Sequence, residues 1–181
     1  MWSLNSFDIN LKGLKANHTQ LVYQLKNDYF EALEGAEVSK GEVSVELDIR
    51  KVTDDYFELD FHIDGQVTVI CDRCLDEMQQ DIQTEARLMA KIGEEYSEED
   101  DLVTIDEASG ILNVAWFIYE FIALQIPIKH VHAPGKCNSA MIQMLNEHSA
   151  TRSSDEDEEK PIDPRWSGLL KIKEETKESN N

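Results

Sequence analysis

Between Val43 and Ile92, apolar side chains recur at every second position in successive runs, and this constrains the fold more than any other feature of the chain. Val43, Val45, Leu47 and Ile49 share one face of a strand, and Phe57, Leu59, Phe61 and Ile63 share one face of the next. Val67, Val69 and Cys71 continue the rhythm, as do Ile82, Thr84, Ala86, Leu88, Ala90 and Ile92. A period of two places alternate side chains on opposite faces, so these runs read as strands with one buried and one wet face. Thr53-Asp54-Asp55 separates the first two, and Asp64-Gly65 predicts a two-residue hairpin before Gln66. The expected core is an antiparallel meander with Tyr56, Glu58, Asp60 and His62 outward.

Such a sheet needs a cover, and Val114 to Gln125 supplies a helix. Asn113 can cap it and Pro127 stops it. Val114, Phe117, Ile118, Phe121 and Leu124 form the stripe expected to face the sheet. The other side carries Trp116, Tyr119, Ala123 and Ile126, so it is expected to meet the C-terminal segment, another subunit or a partner. About a dozen residues cannot span a bilayer, which takes roughly 20. Upstream, Trp2, Leu4, Phe7, Ile9 and Leu11 mark a first strand with a slip, and Leu21, Tyr23 and Leu25 a second. Asn27 to Glu34 reads as a short helix or cross-over turn ended by Gly35.

Cys71-Asp72-Arg73-Cys74 falls where one alternating run ends and another begins. Two thiols at that spacing reach one tetrahedral ion if a tight turn folds the backbone over them. The remaining cysteine lies in His132-Ala133-Pro134-Gly135-Lys136-Cys137, and His132 and Cys137 would complete a three-thiolate, one-imidazole shell for structural zinc. Unligated reduced thiols and a redox pair are the competing readings. The redox reading lacks a helix opening at Cys71 to lower a thiol pKa. Three cysteines, and no basic start followed by an apolar core at Met1 to Ser6, point to the reducing cytoplasm.

Charge narrows the partners. There are 37 acidic and 17 basic residues, a net charge of −20, which repels a phosphate backbone over most of the surface and suits a basic protein. Residues 126 to 146 contain no acid and carry Lys129, His130, His132 and Lys136; with Arg73 they form an expected positive island. The acidic runs at Glu94 to Asp101 and Asp155 to Glu159 read as solvated segments that can attract a basic partner before it docks. The chain is expected to divide into a β-rich domain over 1–145 and, over 146–181, a flexible acidic linker with a short docking segment bearing Trp166, Leu169 and Leu170. Asp163 and Pro164 can start that segment. There is no nucleophile elbow, phosphate-binding glycine loop or two-histidine helix motif, so no catalytic residue is assigned.

Taken in order, Cys71-x-x-Cys74, Gly110 with Asn113, Leu124-Gln125-Ile126-Pro127, Val131-His132 to Cys137, and Asp163-Pro164-Arg165-Trp166 resemble the YceD family of large ribosomal RNA subunit accumulation proteins. The matching pieces run from about Val43 onward. Asn113 stands where the family tends to have aspartate, and the stretch after Cys137 lacks the further cysteines of some relatives, leaving the fourth ligand to His132. The resemblance implies a non-enzymatic role in ribosome assembly. Its expected partner is a large-subunit precursor or a basic ribosomal protein, with RNA touched at most locally and no membrane. Arg73, Lys129, His130, Lys136, Trp116, Tyr119 and Trp166 are the expected contact residues. A thiol-based redox protein using Cys71 and Cys74, or an acidic adaptor unconnected with ribosomes, are the alternatives.

Overall fold

The structure, a computed structural model, describes residues 4–33, 38–94, 96–99 and 101–149. Trp2, Gly35, the run at 155–159 and the segment carrying Trp166 lie outside them. By compactness the chain divides after Met144.

The fold is α+β. After a 3-10 turn at Leu4–Phe7 come β1 (Asp8–Asn10), β2 (His18–Leu25), α1 (Asn27–Ala32), β3 (Gly41–Lys51), β4 (Tyr56–Ile70) and β5 (Glu77–Gly93). They are followed by β6 (Ser97–Glu99), β7 (Leu102–Asp106), β8 (Ile111–Asn113), α2 (Ala115–Gln125) and α3 (Ser139–His148). A six-stranded sheet has the order β2-β3-β4-β5-β7-β6, and β1 pairs with β8 apart from it. β2 through β5 form the antiparallel meander the alternation predicts. The N-terminal run is not one strand: Leu4 to Phe7 turn, and only Asp8 to Asn10 extend.

The expected hairpin at Asp64-Gly65 does not form. β4 is one strand of 15 residues running straight through it, with Gly65 opposite Val43 on one side and Ile82 on the other. The physical reason is phase: Ile63 and Val67 are both buried, so the inward register continues unbroken across the dipeptide. Gly65 serves close approach instead. A Cβ there would lie 2.3 Å from the Glu42 carbonyl oxygen and 2.6 Å from the Val43 Cα, at φ +158°.

Part of the acidic run at Glu94 to Asp101 is ordered into the sheet, because Ser97–Glu99 forms β6, while Glu94, Ser97, Glu98 and Asp101 stay exposed to solvent. The chain leaves β5, skips one strand position to lay down β6, then returns as β7 in the gap. β7 is therefore parallel to β5 and antiparallel to β6, the one parallel pairing among the described strands.

α2 covers the buried face, rotated about its own axis so that a different stripe faces inward from the one expected. Ala115, Ile118, Tyr119 and Ile122 are buried, Phe117 and Phe121 half-buried, and Leu124 is 83% exposed. Positions i, i+3, i+4 and i+7 make a stripe either way in a helix apolar all round, so packing decides which one is used. The Phe121 ring lies 5.2 Å from that of Phe61 in β4, and the Tyr29 hydroxyl donates to the Ala115 carbonyl at 2.6 Å. Burial pushes the Tyr29 phenol well above its ordinary range. Val114 holds the N-cap position, while the Asn113 side-chain oxygen accepts from the Ala115 N–H at 3.0 Å. Asn113 thus steadies the first turn from one residue further out, and its amide nitrogen ties Leu4 and Asp8 to the same point.

Candidate metal centre

Two independent turns bring four ligands together. The first closes the β4–β5 connection: the Cys71 N–H donates to the Asp76 carbonyl at 2.9 Å, and the Leu75 N–H to the Cys71 carbonyl at 2.9 Å. Leu75 takes a left-handed backbone, φ +62°, which folds the chain back over Cys71 and Cys74. The second lies beyond α2, where the Lys136 N–H donates to the Ala133 carbonyl at 2.9 Å with Pro134 and Gly135, φ +79°, between them. This is a type II turn, and it carries His132 and Cys137 to one side of the loop.

The turns are joined by polar links that the sequence does not announce. The Asp72 N–H donates to the His130 carbonyl at 3.0 Å, and the His130 N–H donates back to the Asp72 carboxylate at 2.8 Å. His130 Nδ1 donates to the Pro127 carbonyl at 2.9 Å. Asn138 Nδ2 donates to the Asp76 carboxylate at 3.1 Å, while Asn138 Oδ1 accepts from the Ala140 and Met141 N–H groups and so caps α3. α3 occupies residues to which the sequence reading assigns no element, together with the start of the expected linker. Its signal was present in Asn138 followed by Met141, Ile142, Met144 and Leu145 at helical spacing.

One ligand atom from each of Cys71, Cys74, His132 and Cys137 falls within 4.8 Å of every other, and Cys74 Sγ lies 3.3 Å from His132 Nδ1. Zinc held at about 2.3 Å by sulfur and about 2.0 Å by nitrogen puts its ligands roughly 3.3–3.8 Å apart, so small side-chain adjustments complete a tetrahedron. Cys71 and Cys74 are buried, and His132 and Cys137 half-buried. Burial opposes ionisation of Cys71, but the N–H groups of Cys74, His132 and Arg73 and the His132 side chain outweigh it and bring the thiol down to about 6. Desolvation and then the Cys74 and Cys71 sulfurs push Cys137 up to about 11. A cation among these sulfurs would reverse that last effect, since three crowded thiolates need positive charge between them.

The expected contact residues are dispersed around this centre. Arg73, Lys129 and Lys136 are exposed and make no ion pair among the described residues. His130 is half-buried and engaged with Asp72. The positive island is less positive than residues 126 to 146 suggest, because the sheet turn brings Asp72 and Asp76 into it. Trp116 is 43% exposed and donates its indole N–H to Glu120 at 2.8 Å. Tyr119 is a core residue whose hydroxyl accepts the Val38 N–H, so it offers no contact surface. Leu75 in the sheet turn, Leu124 at the end of α2 and Ile128 just beyond it are largely exposed.

Among the described residues, no helix is long and apolar enough to cross a membrane. Nothing among the curated proteins or the solved structures matches the chain. The family model described as large ribosomal RNA subunit accumulation protein YceD matches residues 59–173, beginning inside β4 rather than near Val43 and taking in the thiol turn, α2 and the His132–Cys137 loop. With well over half its length so matched, the chain belongs to the YceD family of large ribosomal RNA subunit accumulation proteins.

Proposed function

We propose that this protein is a non-enzymatic factor supporting accumulation of large-subunit ribosomal RNA in the cytoplasm, acting by holding a basic ribosomal protein or precursor component. The family supports the process, and the charge of the sheet's open face supports the partner. Glu42, Glu46, Asp48, Glu58, Asp60, Asp64, Asp81 and Glu85 lie on outward positions of β3, β4 and β5. Arg50 and Arg87 answer only part of this, bonding Glu58 and Asp60 at 2.6–2.9 Å. Glu42, Glu46 and Asp64 are exposed without an ion pair among the described residues. A face of this kind speeds encounter with a cationic partner and rejects bare phosphate backbone.

Zinc at Cys71, Cys74, His132 and Cys137 has a structural part in this reading: it fastens the loop after α2 to the sheet turn. Arg73, Lys129 and Lys136 then touch RNA only at the margin of a protein contact. The lowered Cys71 thiol is also what a redox pair would need. Its complete burial, and the absence of a helix start beside it, favour the metal.

The test is capture from lysate on the tagged full chain at graded salt, with mass spectrometry of what is retained. Large-subunit proteins or precursors are expected, released as salt rises and lost in Glu46→Lys/Asp64→Lys. Recovery of only unrelated proteins would overturn the reading. Metal analysis of chelator-free protein should find one zinc per chain, absent from Cys74→Ser.

A further inference from the structure

The sheet ends on its two sides in different ways. β6 is three residues long and reads Ser97-Glu98-Glu99, short and acidic. β2 has eight residues, His18 to Leu25, without a proline, a lysine or a carboxylate. Long uncharged edges are templates for strand pairing, and proteins ordinarily blunt them. β2 is not blunted.

The direction of its free hydrogen-bonding groups follows from the register. The Lys51 N–H donates to the Asn17 carbonyl, and His18 stands opposite Arg50 in the ladder that follows. Bonded and non-bonded pairs alternate in an antiparallel ladder, so Thr19, Leu21, Tyr23 and Leu25 bond to β3. His18, Gln20, Val22 and Gln24 therefore aim both N–H and C=O away from the sheet. No described residue meets those groups with a backbone bond. Their side chains stand on the open face, where Val22 is 59% exposed. Thr19, Leu21 and Tyr23, on the core side, are only half-buried, as an edge strand lacking its neighbour would be.

We infer that β2 accepts an added antiparallel strand from a partner, in which apolar residues alternate with lysine or arginine. The apolar positions would cover Thr19, Leu21 and Tyr23 on the core side. The basic positions would fall on the open side, one strand away from Glu46 and Asp48 of β3, which pair with Val22 and Gln20. Backbone bonds supply affinity and alternate side chains supply selection. The inference rests on the reading of a basic partner and adds where and in what conformation that partner is held.

A labelled peptide alternating valine with lysine tests it against a peptide of the same composition in two blocks, both offered to the full chain. The alternating peptide should bind about tenfold more tightly and slow hydrogen exchange at the amides of His18, Gln20, Val22 and Gln24. Val22→Pro removes an outward N–H that no internal bond uses, and should weaken binding about tenfold while the thermal midpoint holds. Val22→Lys, which blunts the edge without a ring, should do the same if the proline variant fails to fold. Equal affinity for the two peptides, unprotected edge amides, or unchanged binding by a folded Val22 variant would each overturn the inference. Capture from lysate separates the two levels. Wild-type and Val22→Lys chains retaining large-subunit components equally would sink the edge and leave the basic partner standing. A wild-type chain retaining none would sink the partner, and the peptide result would still decide the edge.

Discussion

The two ends of β4 are secured by different physics. Near its start, Phe57, Leu59 and Phe61 are almost wholly buried, and the Phe61 ring packs on Phe121 of α2. At its finish, Cys71 and Cys74 meet a loop whose own apolar residues point largely outward, with Ile128 fully exposed. There the chain is tied by the Asp72–His130 and Asp76–Asn138 links and the four-ligand cluster. Apolar burial is spread over many side chains, so one end tolerates small errors of position. The other is a point fastening and depends on a handful of atoms. It follows that the first end sets whether the molecule folds and the second sets the shape of one loop.

The largest expected effect is at the first end. Phe61→Ala should cost about 3–5 kcal/mol in chemical denaturation, felt across the whole molecule. Gly65→Ala comes next, at about 2 kcal/mol, because a Cβ would press on the backbone of Glu42 and Val43, which cannot yield as a side chain would. Chelation, or Cys74→Ser, should speed hydrogen exchange in residues 71–76 and 127–138 while leaving the amides of β3 and α2 protected. If core amides open together with the loop, the distinction between the two ends fails. Acid should release the metal as chelation does, since protons compete for His132 and the thiolates; metal retained at low pH would count against the cluster. Asp72→Ala should cost only about 1 kcal/mol and loosen the same loop, because its carboxylate is 41% exposed.

The open face gives the smallest effect and a sharper sign. The hydrogen bonds and charges of Arg87 and Arg50 hold the Asp60 carboxyl below its ordinary range against the opposing desolvation. A depressed carboxyl contributes its stabilisation above its unfolded pKa and loses it as pH falls through the folded one. Melting followed below pH 4 should therefore show a slightly smaller loss of stability in Asp60→Asn than in the wild type. A larger loss would remove the pairing from the account.

Much of this was legible in the residues, and the exceptions have physical causes. Alternation from Val43 to Ile92 gives the strands because half-buried sheets leave a period of two in the sequence. Asp64-Gly65 misleads because glycine serves tight turns and close backbone approach equally, and only the unbroken phase from Ile63 to Val67 separates the two. α2 shows a helix but not its inward side, since a segment apolar all round has no preferred face until it packs. The four residues of the cluster can be read because so few residue types bind zinc. Asp72, Asp76 and Asn138 cannot, because exposed carboxylates and amides are common and only the fold sets them opposite their partners.

The insertion of β7 between β5 and β6 leaves the sheet lopsided. One margin is finished by three residues, two of them glutamates, while the other runs eight residues with the hydrogen-bonding groups of every second one facing out. Growth of such a sheet can proceed in a single direction. A guest strand joining at β2 would find no matching berth at β6, so each copy of this chain offers one such edge and not two.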